Sequence, residues 1–298
     1  MLKILKRGIL RARKAFTYFP FENILLMFLR GSDYRSASTK LIPPPDLYPP
    51  GSVKHAVRDG IAYELDRSCL MQWYIYWGLA DVTRTRLYDL VKVGDQILDV
   101  GTNVGETLLN FGKLVGSEGH VYGFEPDERN FNHVQRNIAL NSFANVEVFN
   151  LGVSDQKATV KLYRVDPNNL GMNRILSESE AEQFQDFTTI ETDTIDHVIE
   201  ENDIAKIDLV KIDIEGYEMH ALRGARRTLE AFRPTLFIEV GYSRLLKNGT
   251  SPTEMMSFLE SFGYKVFHAD TGEMIDSTYD FSPLGDGGID VYAIAEKR

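Results

Sequence analysis

The sequence predicts an α/β fold carrying a mostly parallel, Rossmann-like sheet, and three observations support it. Apolar runs at 97–100, 120–125, 146–150, 208–213 and 235–240 alternate with helical stretches at 105–115, 127–140, 193–201 and 217–231. Such alternation implies right-handed crossovers and a sheet covered on both faces. Residues 97–105 read I-L-D-V-G-T-N-V-G, an apolar strand that ends in an acid and runs into a glycine-punctuated turn. Residues 121–126, V-Y-G-F-E-P, form a second apolar strand ending in an acid. Two acid-tipped parallel strands beside a glycine turn suit a cofactor with a charged tail and a ribose.

Taken in order, the chain begins with a basic arm. Residues 1–40 hold nine Lys/Arg against Glu22 and Asp33, a charge of +7, within a 298-residue chain of net charge −10. Leu2, Leu5, Ile9, Ala12 and Phe16 follow helical spacing among Lys3, Lys6, Arg7, Arg11, Arg13 and Lys14. That helix suits contact of residues 1–30 with an anionic membrane surface, or packing on the acidic body or a partner chain. The run 16–29 contains Pro20 and Glu22, is too short to span a bilayer, and lacks a signal-peptide cleavage pattern.

Five prolines in 41–51 exclude helix and central strand, and make a stiff connector. Residues 53–66 read as a strand pair and 80–91 as a helix ending before Gly94. The division expected is therefore an arm and connector at 1–51 and a folded domain at 52–298. After the five core strands, 265–269 and 290–295 read as a closing pair joined through the glycines of 285–288. Between the third and fourth core strands, 157–190 is an insertion: an alternating stretch at 159–163, then polar sequence. Insertions at this end of a sheet often wall the substrate site, with Asn173 and Arg174 as polar candidates here. A solvent loop is the alternative.

The acidic balance argues against a nucleic-acid partner, which would be held by Lys and Arg. A lone cysteine, Cys69, excludes an intrachain disulfide and a cysteine-based zinc site, and suits the cytoplasm. Cys69 and the aromatics Trp73, Tyr74, Tyr76 and Trp77 read as core.

The loop letters choose among cofactors. A dinucleotide fingerprint needs glycine at the first, third and sixth positions, which here are Gly101, Asn103 and Glu106. A carboxylate at Glu106 would repel a pyrophosphate, so the loop suits a ligand without phosphates, and S-adenosylmethionine is the candidate.

D-V-G-T-N-V-G, F-E-P-D followed by N-I-A-L-N (137–141), E-T-D-T-I-D (191–196) and K-I-D-I-E-G-Y-E (211–218) occur in this order and spacing. Together they resemble the FkbM family of S-adenosylmethionine-dependent methyltransferases, from near residue 60 through Gly241 and more weakly to the end. The resemblance implies a class I methyltransferase sheet of seven strands with the last antiparallel, an N-terminal extension outside it, and O-methylation of a sugar, glycan or natural product. Thr102 stands where the family pattern shows Ala.

On this reading Asp99 orients the loop and reaches the methionine ammonium. Gly101 and Gly105 clear space for the cofactor, and Asn103 bonds the loop or the cofactor carboxylate. Glu125, followed by Pro126, accepts the ribose hydroxyls, and adenine lies beside Val153 and Ser154 with a main-chain contact. Asn137 and Asn141 read as helix-end residues, Asn141 left-handed.

Methyl transfer to oxygen requires a placed hydroxyl and a proton acceptor. Asp213 and Glu239 fall at the carboxyl ends of neighbouring strands with Glu215 just beyond, giving the catalytic candidates in the order Asp213, Glu239, Glu215. Asp213 also borders the cofactor. A hydroxyl is a weak acid, so Mg²⁺ on Asp213 and Glu239 is a further expectation, by analogy with other sugar O-methyltransferases. Lys211 on the strand needs an acidic partner if it points inward, and His220 reads as structural. The competing readings are a non-catalytic adenosylmethionine-binding regulatory module and a nicotinamide oxidoreductase.

Overall fold

A computed structural model of the protein describes residues 13–14, 16–17, 21–33, 36–80, 82–166 and 169–296. Most of the basic helix expected at 2–16 lies outside the described residues. The chain divides into two compact units, with the break between Val82 and Thr83.

The first unit contains α1 (Phe21–Leu29), β1 (Val53–Arg58), β2 (Ile61–Asp66) and α2 (Leu70–Trp77). β1 and β2 form an antiparallel hairpin. Its turn, Asp59-Gly60, has φ of +50° and +82°, the geometry for which Asp-Gly is favoured in two-residue hairpins. Ile61, Tyr63 and Leu65 alternate inward, and Trp73, Tyr76 and Trp77 of α2 are buried, so the aromatic cluster is core, as expected. Glu22 of α1 is wholly buried and holds Lys54 of β1 at 2.8 Å, the Tyr48 hydroxyl at 3.3 Å, and Arg67. These contacts tie the hairpin to α1. The break therefore falls after residue 82 and not at 52: the hairpin and α2 belong with the N-terminal unit. The connector at 41–51 holds only short 3-10 turns.

The second unit opens with α3 (Val82–Asp89), whose first residue closes the first unit, and then alternates: β3 (Gln96–Val100), α4 (Glu106–Val115), β4 (His120–Phe124), α5 (Glu128–Ala139) and β5 (Val146–Phe149). After β6 (Gly152–Val153), β7 (Ala158–Tyr163) and β8 (Phe187–Asp193) come α6 (Ile195–Glu201), β9 (Leu209–Ile212), α7 (Glu218–Arg223), α8 (Arg226–Ala231) and β10 (Thr235–Gly241). The chain closes with α9 (Tyr242–Lys247), α10 (Pro252–Ser261), β11 (Tyr264–His268), β12 (Met274–Ile275) and β13 (Gly288–Ala295).

The main sheet has the order β12-β11-β13-β10-β9-β3-β4-β5. β5, β4, β3, β9 and β10 run parallel, and β13, the last strand, inserts antiparallel between β10 and β11. These are the seven expected strands, with the two-residue β12 added at one edge. β3, β9 and β10 are near-continuous apolar runs, as strands covered on both faces must be. The chain turns back across the sheet at β3, whose neighbours are β4 and β9. Ligands of such folds sit at the carboxyl ends of the strands beside this switch point.

Two readings at 187–231 need correction. Residues 187–193 form β8, which pairs antiparallel with β7 and parallel with β6 in a second, three-stranded sheet. Its outward Thr and Glu residues hide the alternation. The helix expected over 217–231 is two helices that break at Gly224 and Ala225. A Cβ at Gly224 would stand 2.0 Å from the Ser154 carbonyl oxygen, so the backbones touch there. Asp196 then caps the second helix, accepting from the amides of Arg227 and Thr228 at 2.9 Å each. Among the described residues, no helix is long and apolar enough to cross a membrane.

Candidate active site

The turn after β3 is held by neighbouring strands. A Cβ on Gly101 (φ +86°) would lie 2.0 Å from the carbonyl oxygen of Asp213. The glycine thus admits the backbone at the end of β9, where clearance for a cofactor was the expectation. Thr102 is buried; its hydroxyl donates to the Asp99 carbonyl at 3.0 Å and accepts the Phe124 amide at 3.1 Å. It pins the turn to β4. Gly105 (φ +88°) begins α4, and its neighbour Glu106 forms an ion pair with Arg84. Asn103 has φ +53°, which aims its amide at Glu125.

Glu125 is 6% exposed. Its Oε2 accepts from the Asn103 amide at 2.8 Å and its Oε1 from the Asp127 amide at 3.0 Å. Burial, with the nearby charge of Asp127, pushes its pKa up to about 8 against the restraint of those amides. Pro126 follows, half-buried, its carbonyl accepting from Asn150 at 3.2 Å.

Asp99 is fully enclosed: Thr107 donates to one oxygen at 2.6 Å and the Lys211 ammonium lies 3.4 Å from the other. Lys211 also donates to the Gly101 carbonyl at 2.8 Å and stands 3.6 Å from Asp213. Burial lowers the pKa of this lysine, but Asp213 and Asp99 outweigh that and raise it. A buried cation between two acids meets the condition under which such a lysine is tolerated. Asp99 therefore acts on the loop through Lys211 and Thr107.

Val153 and Ser154, expected beside adenine, lie at the end of β6. Both are buried in the small sheet, and the Ser154 amide already donates to the Asp193 carbonyl at 2.9 Å. The Ser154 amide is therefore already engaged within the protein. Asn137 and Asn141 differ from expectation. Asn137 lies inside α5, wholly buried, and donates to the Val104 carbonyl of the loop at 2.9 Å. Asn141 does not take positive φ; it donates to the Asn137 carbonyl at 2.7 Å.

The structure does bring the three catalytic candidates together. Ile212 of β9 is in register with Ile238 of β10, which puts Asp213 and Glu239 one residue beyond at the same level. Oxygens of Asp213, Glu215 and Glu239 lie within 4.8 Å of one another. Asp213 is exposed, while the other two are half-buried. Sequence reasoning missed the residue between them: Arg244 of α9 places one nitrogen 2.6 Å from Glu239 and another 3.3 Å from Glu215. A Cβ on Gly216 or Gly241 would fall within 3 Å of Arg244, so these glycines make room for the side chain. Burial and the charge of Asp213 raise the Glu215 pKa to about 6, with Arg244, Arg174 and Lys211 opposing. Glu239 is raised well above the usual carboxylate range, by burial first and then by Asp213. Glu218 beneath is fully buried and accepts from the amides of Gly216 and Ile214 at 2.9 and 3.2 Å. Burial lifts its pKa to about 7.

Asp127 was also missed. It is buried at the start of α5, where Oδ1 caps the helix at the Arg129 amide, 2.9 Å away. Its Oδ2 accepts from Asn173 at 3.0 Å and Arg164 at 3.3 Å, both from the insertion. The insertion is anchored beside Glu125 by these bonds, and Arg174 reaches far enough to act on Glu215. His220 stacks on Tyr217 and faces Asp155 at 3.1 Å.

The methyltransferase FkbM domain model matches residues 99–266, more than half of the chain and the whole of this site. The chain belongs to the FkbM methyltransferase family. It is 24% identical over 154 residues to a hexuronic acid methyltransferase of Haloferax volcanii, across 52% of this chain and 59% of that one. It is 27% identical over 156 residues to methyltransferase 1 of Beauveria bassiana, across 47% and 62%. The matches thus span about three fifths of the curated relatives. Among solved structures it is similar to a methyltransferase FkbM from Methylobacillus flagellatus, with 20% identity, TM-score 0.43, and coverage of 92% of this chain and 59% of that one.

Proposed function

We propose that this FkbM-family chain binds S-adenosylmethionine over the carboxyl ends of β3 and β4 and methylates a hydroxyl oxygen of a sugar or related small molecule. One juxtaposition carries the reading. The acid-tipped strands β3 and β4, with the Asn103–Glu125 contact between them, lie next to the acid cluster at the ends of β9 and β10. The hexuronic acid methyltransferase among the relatives supports a sugar acceptor.

In this arrangement the ribose hydroxyls bond Glu125 and the loop of Gly101, Asn103 and Gly105 lines the donor. The bound donor supplies a methyl group on a positively charged sulfur. The acceptor hydroxyl lies over Asp213, which takes its proton as the oxygen–carbon bond forms and the carbon–sulfur bond breaks. Glu239 and Glu215, with raised proton affinity, share that proton, and a cluster with surplus negative charge also favours a cationic donor.

The Mg²⁺ expected at Asp213 and Glu239 fits these residues poorly. Arg244 already contacts Glu215 and Glu239, and a divalent ion there would sit beside a guanidinium. Activity should survive treatment with EDTA; loss on chelation and recovery with Mg²⁺ would overturn this assignment.

The state of Glu125 gives a direct test of the donor site. With a pKa near 8 in the free protein, it is mostly protonated at pH 7. Hydroxyl donors favour the ionised form, so binding should release about one proton at pH 7. The sign also fixes stability. Folding raises this pKa above its ordinary 4.5, so its contribution is complete below pH 4.5 and is lost as pH rises to about 8. Titration calorimetry of S-adenosylmethionine in buffers of differing ionisation enthalpy reads the proton count. Binding without proton release would contradict the assignment.

The regulatory-module alternative gives no reason for three acids and an arginine to converge beside the donor loop. The oxidoreductase alternative requires a pyrophosphate near Glu106 at the start of α4, and family membership speaks against it.

A further inference from the structure

We propose that α1 is a membrane-surface helix through which the N-terminal unit docks on a bilayer of anionic lipid. Glu22, Leu25 and Leu29 form its buried side. The opposite side carries Phe21, Ile24, Met27 and Phe28, of which Met27 and Phe28 are 73% and 70% exposed. A helix on a globular surface normally turns polar residues outward. Here the single acid of the helix is turned inward onto Lys54 and Arg67, and four large apolar side chains face out.

Charge selects the occupant. Residues 1–40 carry +7 while the remainder carries −17, so an anionic surface attracts this end of the chain and repels the rest. An apolar face next to a basic segment is the combination that binds anionic lipid headgroups and shallow acyl chain together. Nine residues make a helix of about 14 Å, far short of the hydrocarbon thickness, so α1 lies in the interface and does not cross it.

The test uses the whole chain in co-sedimentation with phosphatidylcholine vesicles, with and without about one third phosphatidylglycerol. Retention on the anionic vesicles and weakening by salt are expected. Combining Met27→Ser with Phe28→Ser should reduce retention about tenfold or more, and Phe21→Ser alone should reduce it less. Both changes should leave donor binding and molar mass unaltered, since the exposed side chains support neither. The proposal is overturned if the wild type shows no preference for anionic vesicles, or if the variants bind like the wild type. It is equally overturned if the wild type self-associates through this face and the double variant does not, which would make a second copy the occupant.

Discussion

Asp213→Asn is expected to lower kcat by a factor on the order of 10² to 10⁴, with the donor dissociation constant nearly unchanged. Asp213 is the exposed member of the cluster, the one an acceptor can reach, and the amide cannot take a proton from a hydroxyl. Donor affinity should hold because the proposed ribose contacts are at Glu125. Lys211 keeps Asp99 at 3.4 Å, so the loop after β3 retains its main electrostatic anchor. Methyl transfer in single-turnover assays, with donor binding measured separately, distinguishes the outcomes. Equal losses in both would move Asp213 from catalysis to cofactor binding.

Arg244→Met should have the second largest effect, on stability and on pH dependence together. Arg244 is 15% exposed and is the nearest cation to Glu215 and Glu239. Its removal leaves two half-buried acids beside a third without their partner, a change that costs about 3–5 kcal/mol where pairs are well enclosed. Glu215 needs to ionise if the cluster is to accept a proton, so wild-type activity should rise with pH through about 6. Loss of the guanidinium removes a charge that lowers both glutamate pKa values, so the rising limb should move to higher pH. Chemical denaturation and a pH profile of kcat/KM report the two effects independently. A limb that stays in place would remove Arg244 from the electrostatics of the site.

What was legible in the sequence follows from local chemistry. Strands β3, β4, β9 and β10 are apolar on both faces, and such runs stand out between turns. The acids at their carboxyl ends were therefore placed correctly, and the Asp213–Glu239 neighbourhood followed from strand register alone. Residues whose roles depend on distant backbone were not legible. Gly101 looked like clearance for a ligand, but the space is taken by the carbonyl of Asp213, over a hundred positions later. Gly224 breaks a helix because Ser154 crosses it, and no helical pattern encodes that contact. Arg244 carried one signal that could have been read: Gly241 follows Glu239 at the end of β10 with an ordinary extended φ of −90°, so no turn explains it, which points to a bulky side chain packed against the strand end. Asp127 carried another, since an acid directly before α5 is a cap and a cap anchors whatever else reaches its second oxygen. β8 was missed because Thr189 and Glu191 on its exposed face break the apolar pattern, so its pairing with β7 is written in hydrogen bonds more than in hydrophobicity.

The most direct measurement is calorimetric titration of S-adenosylmethionine into the wild-type protein and into Glu125→Ala. Saturable binding by the wild type, weakened by a factor on the order of 10² in the variant, is the result predicted for a ribose held by that carboxylate. Absence of binding by the wild type, or equal affinity in the two proteins, would contradict it.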